Sequence, residues 1–472
     1  MIKKLITIFF ILVLIGAAGG AYWYFSQKGL VPGLDQFPGG SGLITGGTQG
    51  GGTTDEEEPT NVIPTDGFLP RLYQLHNVPV SGVSFAETKD KKGVVLSSSL
   101  RYIERGLGHI FETNLSTYKE ARIVNETRPR IAEALWGNNG NSVVVRFVDE
   151  KNGGIIKSRI VNIEAPLVSF TRGGSGAEDF LLTEEHYLPD GVPFMATAED
   201  SSDKMFYLEN GVAGTVGTTA TFKNTSVADV FSSAFTEWLP QFPNQNLVTL
   251  TTRPSAKVPG HMFFLDTKTK AVSKVLNEIN GLTTLTNRDG KFVIFSESVG
   301  NTSELSFYDV TKREVHQIYL MSLPEKCVWS TKKPTLAYCA VPIVLPAAAY
   351  PDQWYQGLVS FSDALWELDA TTFETRKILT PGSLGAPALD MINLSLSSDD
   401  SFLTFIDKTT GTPWVYSIVE PKPVTPTITE APVQSPATSS PRVSTTTSSS
   451  EATTTKTAVA PSVITSDMQK LK

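Results

Sequence analysis

The stretch that decides the fold is "TLTNRDGKFVIFSES", Thr284–Ser298, which is followed closely by "SELSFYDVTKREVHQI", Ser303–Ile318. Each segment contains two runs rich in apolar and β-branched residues around a polar turn, Asn-Arg-Asp-Gly in the first and Asp-Val-Thr-Lys in the second. Short runs joined by such turns are typical of β-hairpins. Together the two hairpins predict one four-stranded antiparallel sheet.

Both hairpins recur along the chain. Copies of the first begin at Val83, Ala134, His186, Glu237, Thr284, Val328 and Ser395, with turns near residues 91, 140, 190, 243, 289, 333 and 399. Copies of the second begin at Gly108, Gly260, Ser303 and Asp363, and place Asn114, Asp266, Asp309 and Asp369 at equivalent turn positions. A short polar side chain at this place can accept hydrogen bonds from the turn backbone.

Seven sheets repeating roughly every 50 residues predict an all-β, seven-bladed β-propeller with four antiparallel strands per blade. The last copy ends after the single strand "TPWVYSIV", which begins at Thr412, so its sheet lacks one edge. The spare segment "LPRLYQLHN", which begins at Leu69, is expected to supply the missing strand. Ring closure of this kind removes an exposed sheet edge.

Three segments carry a resemblance to a known family: "WGNNGNSVVVRFV", "NRDGKFVIFS" and "FYDVTKREVHQI". They resemble the blades of TolB-like and WD40-like bacterial propellers, including uncharacterised ones that are anchored to the membrane by an N-terminal helix. The sequence lacks the regular Trp-Asp dipeptides of eukaryotic WD40 repeats. The resemblance implies a binding scaffold more often than an enzyme, and it transfers no functional residue to this chain.

The two ends of the sequence differ in composition from the repeats. Residues 1–28 contain Lys3 and Lys4 before the apolar run Leu5–Phe25, which predicts a single membrane span with a cytoplasmic N-terminus. A cleaved signal peptide is the alternative, and either one places the propeller outside the cytoplasm. Residues 29–65 are predicted to be a Gly-rich and acidic linker, 66–420 the propeller, and 421–472 a disordered tail rich in Pro, Thr and Ser.

The charge balance limits the partners. A net charge of -8 and a pI near 5.4 exclude nucleic acid as the expected ligand, because that binding depends on basic residues. A protein or a glycan is the expected partner, and the oligomeric state stays open. The two cysteines, Cys327 and Cys339, flank one hairpin turn, so they are either a cross-strand disulfide or two buried thiols.

The longest connection inside a repeat, Val341–Gly357, carries Tyr350, Asp352, Trp354 and Tyr355. This aromatic loop is either a contact surface for a partner or a plug that packs over one end of the ring. The sequence shows no catalytic, cofactor-binding or metal-binding motif, and the five histidines have no shared spacing.

Three functions remain: an interaction scaffold, a hydrolase or lyase with acidic residues at the mouth of the central channel, and a passive envelope spacer.

Overall fold

The computed structural model describes residues 70–164 and 180–420, and the strands within them are short. In the strand Thr302–Asp309, partly exposed and buried side chains alternate, whereas the strands Leu336–Pro342 and Pro413–Ser417 are buried throughout, as expected where both faces of a sheet are covered. The strands are β1 (Leu72–Gln74), β2 (Val80–Lys89), β3 (Val95–Glu104), β4 (Ile110–Asn114), β5 (Glu120–Val124), β6 (Glu133–Gly137), β7 (Ser142–Asp149), β8 (Ile155–Glu164), β9 (Leu182–Tyr187), β10 (Met195–Thr197), β11 (Lys204–Gly211), β12 (Gly214–Thr221), β13 (Ala228–Ser233), β14 (Trp238–Asn244), β15 (Leu247–Thr252), β16 (Pro259–Asp266), β17 (Val272–Asn280), β18 (Thr283–Thr286), β19 (Phe292–Val299), β20 (Thr302–Asp309), β21 (Glu314–Gln317), β22 (Cys327–Trp329), β23 (Leu336–Pro342), β24 (Asp363–Asp369), β25 (Thr375–Leu379), β26 (Met391–Leu396), β27 (Phe402–Asp407) and β28 (Pro413–Ser417).

Helical structure in the described residues is limited to single turns. One α-helical turn lies in the longest loop, and the others are short 3-10 segments. They are α1 (Asp352–Tyr355) and the 3-10 segments Asn138–Gly140, Glu150–Asn152, Pro324–Lys326 and Pro381–Leu384.

The strands form seven four-stranded antiparallel sheets, which confirms the predicted seven-bladed propeller. Blades 1 to 6 are β2–β5, β6–β9, β10–β13, β14–β17, β18–β21 and β22–β25, each in chain order. Blade 7 consists of β26, β27, β28 and β1 in that spatial order. First strands of neighbouring blades contact each other, such as β2 with β6 and β26, so the first strands lie nearest the axis.

The N-terminal strand closes the ring, as the sequence predicts. In β1, Leu72, Tyr73 and Gln74 lie opposite Tyr416, Val415 and Trp414 of β28. The pairing continues beyond the strand, because the Leu75 amide donates to the Pro413 carbonyl at 2.8 Å. Residues 72–75 thus occupy the outermost strand position of blade 7.

The expected turn chemistry is present in four outer hairpins. Asn114, Asp266, Asp309 and Asp369 each accept hydrogen bonds from backbone amides two and three residues later. The residue four positions after each of them has a positive φ, between 57° and 61°. Its amide donates a hydrogen bond to the backbone carbonyl of the Asn or Asp. A side chain that satisfies the turn amides therefore fixes the register of these strand pairs.

Up-and-down topology gives the ring two distinct faces. The turn face carries the hairpins between the first and second strands, and hydrogen bonds join these hairpins at six of the seven blade junctions. The contacts are Asn139 with Glu87, Asp200 with Gln245, Asn244 with Arg288, Asn287 with Pro334, Asp400 with Thr331, and Glu87 with Ser398. The opposite loop face carries the connections between second and third strands and those between blades.

One hairpin prediction is wrong. The segment from His186 to Ala198 is not a hairpin with its turn near residue 190, because β9 ends at Tyr187 in blade 2 and β10 begins at Met195 in blade 3. The first hairpin of blade 3 instead turns between β10 and β11, at residues 198–203. The predicted membrane span, linker and tail lie outside the described residues. Within the described residues, no helix has the length and apolar character needed to span a bilayer.

Candidate functional site

The cap loop, residues 343–362 between β23 and β24, is the largest feature of the loop face. Its two ends are joined by a hydrogen bond from the Ile343 amide to the Ser362 carbonyl, 2.8 Å long. From blade 6 the loop reaches blade 5, where the Ala348 amide donates to the Asn301 carbonyl at 3.0 Å. It also reaches blade 4, where Asp352 accepts a hydrogen bond from the Ala256 amide at 2.7 Å.

Two of the four aromatic-loop residues are internal. Tyr350 and Trp354 are 1% and 4% exposed, and they form a core with Leu323, Ala348 and Phe361. Their aromatic side chains are therefore not available to a partner. They pack over one end of the propeller, which is the alternative that the sequence left open. Asp352 is bound by blade 4. Asp352 is also partly exposed and Tyr355 is 45% exposed, so for these two residues the role of partner contact stays a prediction.

A buried ion cluster of Lys326, Asp363 and Asp390 lies beneath the cap loop. The Nζ atom of Lys326 is 2.8 Å from Asp363 Oδ2 and 2.5 Å from Asp390 Oδ1, and all three side chains are fully buried. Burial raises the pKa of Asp363 to about 6 even though Lys326 opposes the shift. The cluster joins the segment before β22 to the starts of β24 and β26, so it links blades 6 and 7.

The ion cluster also holds the cap loop. Asp390 Oδ2 accepts hydrogen bonds from the Phe361 amide at 3.0 Å and from Trp354 Nε1 at 3.4 Å. The Lys326 ammonium lies 5.0 Å from the centre of the Phe361 ring, and the Lys408 ammonium lies 4.1 Å from that of Trp354, within cation–π range. These contacts, contributed by blades 6 and 7, fix the loop in one conformation.

The first strands, which lie nearest the axis, share an apolar position. At mid-strand, each blade contributes a partly exposed apolar residue: Val83, Leu135, Ala196, Leu239, Leu285, Val328 and Leu394. Six of them, all except Leu239, pack against the apolar clusters between the blades.

Two acidic residues with raised pKa values lie on opposite faces of the ring and do not approach each other. Burial raises the pKa of both Glu199 and Glu325. However, Glu199 lies in the β10–β11 hairpin on the turn face, and Glu325 precedes β22 on the loop face. Asp200, next to Glu199, accepts hydrogen bonds from the Ser202 and Gln245 amides and so acts as a turn acceptor. Within the described residues, no group of three or more metal-ligating side chains is assembled.

The two cysteines lie directly opposite each other in the β22–β23 hairpin, with a Cα–Cα distance of 4.0 Å and the sulfur atoms bonded to each other. Both are buried between blades 5 and 6, near Trp329 and Leu368. The pair therefore has a structural position, remote from the exposed part of the cap loop.

We predict that replacing Cys327 and Cys339 together with alanine lowers the free energy of unfolding by about 2–4 kcal/mol, because the cross-link restricts the unfolded chain. Urea unfolding of the wild-type and doubly substituted chains measures the difference. Addition of a reductant should destabilise the wild type alone. Equal destabilisation of both proteins by the reductant would contradict the prediction.

The fold and the cap loop define the class of protein: a seven-bladed β-propeller closed by its own N-terminal strand, with one face partly covered by a long loop. The seven four-stranded blades agree with the propeller fold that the resemblance to TolB-like and WD40-like propellers implies.

Comparison with known proteins adds three similar structures. Oligogalacturonate lyase from Vibrio parahaemolyticus is 8% identical over 74% of this chain and 94% of its own, with a TM-score of 0.47. TolB from Acinetobacter baumannii is 11% identical over 72% and 80%, with a TM-score of 0.37. The Pan2 WD40 domain from Neurospora crassa is 10% identical over 75% and 97%, with a TM-score of 0.44. No protein-family model and no curated protein sequence matches the chain.

Proposed function

We propose that this chain is a membrane-anchored, extracytoplasmic interaction scaffold that binds a partner protein through the exposed part of its cap loop. The observation that carries the proposal is the combination of a firmly held loop with exposed apolar side chains. Val344 is 77% exposed and Leu358 is 65% exposed, while the loop between them is held by Asp390 and by contacts with blades 4, 5 and 7. A loop held in one conformation loses little entropy on binding, which favours affinity.

The chemistry of the exposed side chains favours a protein over a glycan. Val344 and Leu358 are aliphatic, and aliphatic groups gain from burial against another apolar surface rather than from stacking on sugar rings. The apolar run Leu5–Phe25 after Lys3 and Lys4 supports attachment to a membrane. In this function the propeller is a rigid support, and no chemical step is required of it.

We expect the double substitution Val344→Asp and Leu358→Asp to reduce recovery of the partner at least about tenfold, since two charges would have to be desolvated on binding. Cross-linking in membranes of the source cells, followed by purification of the full chain and mass spectrometry, measures the recovery. The matched control is Val94→Asp with Leu96→Asp, two residues of blade 1 that are 58% and 70% exposed near the turn face.

Equal recovery with both variants would contradict a contact through the cap loop. Recovery of peptidoglycan fragments in place of a protein would favour the glycan alternative. Loss of recovery only after removal of residues 421–472 would favour the spacer hypothesis, in which the tail is the working part.

A further inference from the structure

Two grooves flank the outer strand of blade 6, β25; rim groove A has a mainly polar lining and rim groove B a mainly apolar one. Rim groove A has a volume of about 230 Å³ and is lined by Arg71, Lys377, Ile378, Leu384 and Tyr416. Rim groove B has a volume of about 310 Å³ and is lined by Tyr319, Met321, Ile343, Trp366 and Lys377. Lys377 borders both, so the two grooves follow each other across the edge of the blade.

The lining of the grooves is unusual for a surface that faces only water. Tyr319 is 84% exposed, and its left-handed backbone conformation, with φ of 58°, is uncommon for a bulky residue. Ile343 and Met321 are also exposed. The only charged side chains along the described lining of the two grooves are basic, those of Arg71 and Lys377. A ligand that fits buries apolar groups against Tyr319, Met321 and Ile343 of rim groove B.

The chain leaves the ring at rim groove A. Arg71, which lines this groove, forms an ion pair with Glu420 at 3.2 Å and donates a hydrogen bond to the Ile418 carbonyl at 3.2 Å. The segment that begins at Pro421 therefore starts beside the groove. A covalently attached segment has a high effective concentration, in the millimolar range for a short connection.

Residues 421–434, "PKPVTPTITEAPVQ", have the required composition. They contain Val424, Ile428 and Val433, four prolines, one acidic residue, Glu430, and one basic residue, Lys422. Proline-rich segments favour the polyproline II conformation and bind grooves lined by aromatic side chains, because little entropy is lost.

We propose that residues 421–434 bind across the outer edge of β25, from rim groove A to rim groove B. In polyproline II conformation each residue advances about 3.1 Å, so the segment from Pro421 to Ile428 reaches about 22 Å. Neighbouring blades lie about 10 Å apart, so this length crosses from the blade 6–7 side to the blade 5–6 side. The inference goes beyond the proposed function, because it does not depend on any external partner of Val344 or Leu358.

The experiment places a photo-reactive p-benzoylphenylalanine at position 319 in the full chain, Tyr319→p-benzoylphenylalanine. After illumination, mass spectrometry is expected to find the main cross-link in residues 421–434. A mixture of isotopically light and heavy chains should give light–light and heavy–heavy products, as an intramolecular contact requires. Val424→Asp, Ile428→Asp and Val433→Asp together should reduce this cross-link at least fivefold.

The matched control replaces Val443, Val459 and Val463 of the same tail with aspartate, and it should leave the cross-link unchanged. Independently, hydrogen exchange of Thr375–Leu379 should become at least fivefold faster in a chain that stops after Glu420. Dominant cross-links to a second copy, to lipid, or to no tail residue would overturn the proposal, as would equal hydrogen exchange with and without the tail. The contact with a partner through Val344 and Leu358 would be unaffected by such a result.

Discussion

Replacing Lys326 with methionine is expected to lower the free energy of unfolding by about 3–5 kcal/mol, one of the two largest effects we predict. Lys326 neutralises two fully buried carboxylates, and the methionine leaves Asp363 and Asp390 without their cation. Asp363 already has one buried oxygen, Oδ1, without a hydrogen-bond partner in the described residues. Urea or thermal unfolding of the full chain measures the change.

Two further variants separate the charge effect from the loss of a lysine side chain. Lys333→Met, at an exposed position in the β22–β23 hairpin of the same blade, should change stability by less than about 0.5 kcal/mol. Adding Asp390→Asn to Lys326→Met should recover part of the loss, since one uncompensated charge is removed. A change below about 1 kcal/mol for Lys326→Met alone would show that the ion cluster does not stabilise the fold.

Replacing Leu75 with aspartate is expected to have a comparable or larger effect, at least about 4 kcal/mol, because it places a carboxylate in an apolar site. Leu75 is 1% exposed and packs with Val80, Tyr102 and Val415 at the junction of blades 7 and 1. Its amide continues the pairing of β1 with β28. The substitution therefore acts on the closure of the whole ring.

Hydrogen exchange tests whether Leu75→Asp acts on the closure of the ring by β1. In Leu75→Asp the amides of β28 should lose protection before those of blades 2 to 5, because β28 is the strand that β1 covers. The control is Asn77→Asp, two residues further along and exposed, which should leave both stability and exchange unchanged. Uniform loss of protection in all blades would show that closure by β1 is not a separate step.

The sequence is informative wherever pairing is local. The hairpin around residue 289 is specified by its own turn residues, and the same holds for the turns headed by Asp266 and Asp309. The opposition of Cys327 and Cys339 follows from the short turn between them in the same way. Ring closure could be inferred because the last repeat lacked a strand and the segment at Leu72 had no other partner.

The sequence is less informative where partners are distant. The segment around residue 190 contains two apolar runs and a turn of Asp and Gly, yet its runs belong to different blades. A hairpin and a connection between blades have the same local pattern, and only the strands beside them decide which one forms. For the same reason the sequence does not predict the ion cluster. Lys326, Asp363 and Asp390 are separated by tens of residues, and nothing in the local sequence marks them as neighbours.

The aromatic loop shows this limit most directly. Its composition is equally compatible with exposure and with burial, and the outcome for Trp354 depends on Asp390 and Lys408 of blade 7. The two most exposed large apolar residues of the loop, Val344 and Leu358, are aliphatic, and an aromatic pattern in the sequence does not include them.

The ring begins and ends at one place, since Arg71 and Glu420 form an ion pair. Strands β1 and β28 run antiparallel, and the flanking segments leave from the same end of that pair. Tension applied between the two flanks would peel β1 from β28 one hydrogen bond at a time, starting at Arg71, instead of shearing all of them at once. Such tension is therefore expected to open the ring at this one seam before the other sheets separate.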